Sequence, residues 1–230
     1  MEKLNGSNQR RVGVIAVAAG CIGAVSFGLL VSGLVASAGR GRAPGPSTVL
    51  FRGQDIAVAL QALLMILVTL ATLRYQTPLR QAPPVTGVGI MGQAGVVLSI
   101  ALVFAFGAFW ADMLYMLPQG LIGLWLISVC WSASSLSRWL KVVGVLAGIG
   151  LVLVAVSDVI IANALGWQIF DLSVRTRPSV SAEAISSQGN RLGHTILPIG
   201  TLLGRILYPI WTIAIGYNLI RHSTRNERLI

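Results

Sequence analysis

Residues 141–165, KVVGVLAGIGLVLVAVSDVIIANAL, carry a lysine at the first position, one aspartate at position 158 and no other charge. Wound as a helix at ~1.5 Å per residue, such a stretch is longer than the ~30 Å hydrocarbon core of a bilayer. Its core, about 142–165, predicts a membrane span. Five more apolar runs resemble it, at about 12–37, 56–74, 87–110, 118–135 and 196–220. The expected fold is an all-α integral membrane protein: a bundle of six transmembrane helices, both termini cytoplasmic, forming one domain over 1–230. The composition agrees, with 55% hydrophobic and 10% charged residues against about 25% charged in soluble domains. Mean hydropathy is +0.79. These values exclude a soluble enzyme, a disordered tail and a fibrous repeat.

Orientation follows from the basic residues flanking the spans. Lys3, Arg10, Arg11, Arg74, Arg80, Arg138, Lys141, Arg221, Arg225 and Arg228 fall on one side. Arg40, Arg42, Arg52, Arg175, Arg177 and Arg191 fall on the other. Ten against six places the first side in the cytoplasm. The net charge of +10 is thereby spread over loops and ends, where it meets anionic lipid head groups. With no basic face to hold phosphates, nucleic acid is not an expected partner. The first run is too long for the 7–15 apolar residues of a cleaved signal, so Met1–Ala38 is expected to stay in the mature chain.

The connections differ in character. Residues 39–54 are rich in Gly and Pro and are expected not to be helical for long. Pro118 suits the first position of the fourth helix. Residues 166–195 read as a long outer loop, either a lid or a tether. Gly144-xxx-Gly148, Gly200-xxx-Gly204 and Ala19-xxx-Gly23 let helix backbones approach. They serve packing within the chain or, less simply, a homo-oligomer.

Two charges, Asp158 and Arg205, lie inside apolar spans, where a charge normally faces protein or water. Asp158 shares a face with Gly144, Gly148 and Leu151, and Arg205 shares one with Thr201, Tyr208 and Thr212. Counting ~1.5 Å per residue from the expected outer surface puts Arg205 ~13 Å deep and Asp158 ~9 Å deep. Their side chains lean toward each other, so an ion pair is expected. Arg52 and Asp55 at the mouth of the second span, and Asp112 beyond the third, fall at the same outer level. A binding site is therefore placed on Arg52, Asp55, Asp112, Asp158, Arg205 and Tyr208. The competing reading is an interfacial aromatic belt with carboxylates that simply reach water.

No HExxH, GxSxG or P-loop pattern occurs, and no catalytic residue is assigned. Neither a cofactor nor a metal is expected. His194 and His222 lie outside the spans and Cys21 and Cys130 lie singly within them, too few for a zinc site.

LPQGLIGLWLISV, LSRWLKVVGVLAGIGLVL and LYPIWTIAIGYNLIR together resemble segments of uncharacterised multipass bacterial inner-membrane proteins, as does FRGQD at 51–55. The resemblance implies six helices in a bacterial inner membrane and no particular activity. Two functions follow. One is a non-enzymatic membrane protein, standing alone or as a subunit of a larger assembly in the lipid bilayer. The other is a small-molecule or ion transporter or sensor built on the polar cluster around Asp158 and Arg205. A third reading, a lipid head-group enzyme, would use Asp55, Asp112 or Asp158 as acid and base.

Overall fold

The computed structural model describes residues 6–38, 46–74, 83–106, 115–133, 136–164 and 188–227. These fold into six helices: α1 (Gly6–Ala38), α2 (Pro46–Arg74), α3 (Pro83–Phe106), α4 (Met116–Ser132), α5 (Arg138–Ala164) and α6 (Gln188–Glu227). No strand occurs among the described residues. Five of the helices are long and apolar enough to cross a membrane. The other, α4, has 17 residues, or ~25 Å of axis.

The outward face of α2 shows why the chain suits lipid. Leu60, Leu63, Leu67 and Leu70 are exposed, whereas Gln54, Gln61 and Thr69 are buried. In water this arrangement would be inside out. In hydrocarbon the leucines meet lipid, and the amides are kept from it because an unsatisfied polar group there costs several kcal/mol.

Each helix packs chiefly on its neighbours in chain order, and α1 closes on α6, so the bundle is a closed ring. Close glycine approaches give the direction of most of these contacts. Gly33 lies against Phe51 and Gly23 against Gln61, so α1 and α2 are antiparallel. Gly89 lies against Trp125 and Gly95 against Pro118, setting α3 against α4. Gly123 faces the Gly148 carbonyl, Gly150 faces Gly204, and Gly13 faces the Gly216 carbonyl. Thus α4 runs against α5, α5 against α6, and α6 against α1. The start of α1 and the end of α6 lie at the same end of the ring.

Gly144, Gly148, Gly200 and Gly204 are all spent on contacts within the chain. Gly144 makes room for Cys130 and Trp211. Trp211 is 1% exposed and meets Trp125 edge to face at 6.3 Å, a preferred aromatic geometry.

Two expectations about connections change. Pro46–Gln54 belongs to α2, although 39–54 was expected not to be helical for long. Proline at the first helical position costs no hydrogen bond, and the apolar part of the helix already begins at Val49. Likewise α6 starts at Gln188, eight residues before the apolar run and inside the expected 166–195 loop. Pro118 is the third residue of α4 rather than the first.

Candidate functional site

At the centre of the ring is a cavity of about 50 Å³ to which all six helices contribute. Gly23 and Ser26 come from α1, Gln61 and Ala62 from α2, and Val96 from α3. Gln119 and Ile122 come from α4, Leu151 from α5, and Gly204, Arg205, Tyr208 and Pro209 from α6. At ~10–15 Å³ per water, the space holds about four.

Its polar groups are short of partners. Gln119 is 5% exposed, Gln61 8% and Tyr208 8%. Gln119 Nε2 and Oε1, Gln61 Nε2, Tyr208 Oη and Arg205 Nη1 all lack a hydrogen-bond partner. Buried polar groups are ordinarily satisfied, so each exception asks for a cause. Here four exceptions converge on one space. Two turns before Gln61 on α2, Gln54 is also buried, and its backbone carbonyl accepts a 3.4 Å bond from Ser26 Oγ.

Arg205 is half-buried, and its Nη2 donates to Tyr115 Oη at 2.8 Å. The guanidinium carbon lies 5.6 Å from the Tyr115 ring centre. The Tyr115 hydroxyl is neutral, so this contact orients the cation without offsetting its charge. Four residues on, Pro209 lacks the N–H that the Arg205 carbonyl would otherwise receive in the helix. The backbone ladder is therefore open beside the cavity.

The expected ion pair does not form. Asp158 is 1% exposed, and neither of its carboxylate oxygens has a hydrogen-bond partner. The cause is register. Gly193 packs on Ser157 and Ile161, whereas Gly204 packs on Leu151. Arg205 is thus level with Leu151, seven residues and ~10 Å of helix below Asp158. Because α6 begins at Gln188, depths counted from residue 196 placed Arg205 too near the start of α6. Asp158 does share a face of α5 with Leu151, two turns further along the helix.

Of the residues expected to bind, Arg205 and Tyr208 line the cavity. Asp158 stands on the same side of its helix but is not among the lining residues. Arg52 is exposed and Asp55 half-buried, more than a turn before Gln61 on α2. Asp112 lies outside the described residues. Sequence reasoning overlooked Gln119, Ser26 and the wholly buried Gln93 of α3, whose amide atoms also lack partners. The signal for both glutamines was available, since an amide inside an apolar run faces protein.

No set of three metal-ligating side chains comes together among the described residues. No family model, curated protein or solved structure matches this chain.

Proposed function

We propose that this chain is a non-enzymatic multipass membrane protein that holds a small polar solute at the centre of its six-helix ring, as a transporter or sensor does. The observation that carries the reading is the convergence of unpartnered, buried Gln61, Gln119 and Tyr208 on one cavity with Arg205. Polar atoms kept from both lipid and one another are satisfied by what occupies the space between them. The alternative role, a subunit of a larger assembly, has less support. Exposed Trp131 and Trp139 are also the residues expected in an interfacial aromatic belt.

All six helices cross the bilayer in this proposal. Support for counting α4 comes from its antiparallel packing between α3 and α5. Both termini are cytoplasmic, in the inner membrane of a bacterium. Arg10, Arg11, Arg138, Lys141 and Arg221 lie toward one end of the ring, and Arg52 and Arg191 toward the other, in keeping with the positive-inside rule. Reporter fusions at Gly45 and Ser186 are expected to read as external, and one at Gln81 as internal. The reverse pattern would reject the orientation.

Hydroxyl-radical footprinting of the purified protein tests the cavity itself. Radicals form from water inside a hydrated site, so Tyr208 should be oxidised despite its burial. Trp211, buried away from the cavity, should be spared. Equal protection of both residues would reject a hydrated solute site.

A further inference from the structure

We infer that the solute is a single small monovalent anion, of the size of chloride or formate, bound against the Arg205 guanidinium. This rests on the solute-site reading and adds the charge, size and principal ligand. The charge follows from the lining. Arginine stays protonated in proteins, and the buried Nη1 of Arg205 has no hydrogen-bond partner. Tyr115, its hydrogen-bond partner, is neutral. The described residues that line it include no carboxylate, and Asp158, the acid on the same side of α5, is two turns away.

The remaining polar groups are of the right kind. Arg205 Nη1, Gln61 Nε2, Gln119 Nε2 and Tyr208 Oη each bring an N–H or O–H that has no acceptor. An anion accepts from all of them at once. A cation would meet the guanidinium's repulsion and only neutral oxygens. Size follows from the volume. Some 50 Å³, about four waters, admits an ion of one to four heavy atoms with a water or two. One guanidinium charge is balanced by one negative charge, so a divalent oxyanion such as sulfate does not match it.

The test is thermal unfolding of the full-length protein in detergent. Gluconate is replaced stepwise by chloride, nitrate or formate at constant ionic strength. The midpoint is expected to rise saturably, by about 5–11 °C at a hundredfold excess over Kd. Sulfate should have no such effect, nor should exchange of sodium for choline. Arg205→Gln should abolish the rise. Arg205→Lys, which keeps the charge but loses the planar fork, should retain it at higher anion concentration. Gln119→Leu leaves the cation in place and should raise the half-saturating concentration about tenfold.

Should Arg205→Gln fail to purify, the wild-type ion series and Gln119→Leu decide the matter. Equal shifts from every salt, a rise that never saturates, or one that survives in Arg205→Gln would overturn the inference. Oxidation of Tyr208 in the footprint with no anion effect would overturn the anion alone. Protection of Tyr208 with no anion effect would overturn the cavity reading as well.

Discussion

Gly150→Ala is expected to cost about 3 kcal/mol of unfolding free energy, while Gly28→Ala costs nothing. Both glycines are helical, so intrinsic propensity favours alanine at each by about 0.5–1 kcal/mol. The surroundings separate them. A Cβ on Gly28 meets nothing within 4 Å. A Cβ on Gly150 lands on the Gly204 backbone nitrogen and within 2.7 Å of Leu203 Cβ and 2.8 Å of its carbonyl carbon. None of these atoms moves by changing a rotamer. Relief requires α5 and α6 to separate along a seam where Gly200 and Gly204 also touch backbone. Overpacking typically costs about 1–3 kcal/mol, and a backbone-to-backbone clash belongs at the top of that range. Denaturant titration in mixed micelles would measure both variants. Equal stability of the two would mean that α5 and α6 are not in this contact.

Asp158→Asn is expected to raise stability by about 2 kcal/mol, and its effect should add to that of Arg205→Ala. An unpaired ionised carboxylate costs several kcal/mol to bury, and both Asp158 oxygens lack donors at 1% exposure. The amide removes the charge and keeps the shape. Arg205→Ala, in contrast, removes the bond to Tyr115 and should destabilise. Residues two helical turns apart with no shared partner are expected to be additive within about 0.5 kcal/mol. Measuring both single variants and the double variant checks each part. A loss of stability in Asp158→Asn, or a coupling above about 1 kcal/mol, would restore a direct link between the two charges.

The helical, lipid-facing character of the chain was legible because long charge-free runs have few other solutions. Helix ends were less so. Hydropathy measures how much of a helix meets lipid, whereas α2 runs from Pro46 through Arg52 and Gln54, and α6 starts at Gln188 ahead of its apolar run. That difference displaced Arg205 relative to Asp158 and created an ion pair on paper. Burial of Arg205 and Tyr208 was legible, since a charge and a hydroxyl on one stripe of an apolar helix face protein. Gln119 and Ser26 became part of the site only through the ring, which brings α4 and α1 to the same cavity as α6. Spacing within one helix carries no information about which helix stands across a cavity. The leucines of α2 offered a partial substitute: the face opposite Leu60, Leu63, Leu67 and Leu70 is the interior.

A ring sealed by its first and last helices also has a birth order. Translation must proceed from the end of α1 at Ala38 to the end of α6 at Glu227, roughly 10–40 s at about 5–20 residues per second. Until then Gly13 and Gly20, shaped to receive Gly216 and Pro209, have no mate. The central cavity also lacks Arg205 and Tyr208 for that time. A ribosome stalled before α6 therefore leaves five helices around an open cleft, with one raw edge on α1 and another on α5. Quality control in the membrane has a defined window in which to see those edges, and arrival of the final helix closes it.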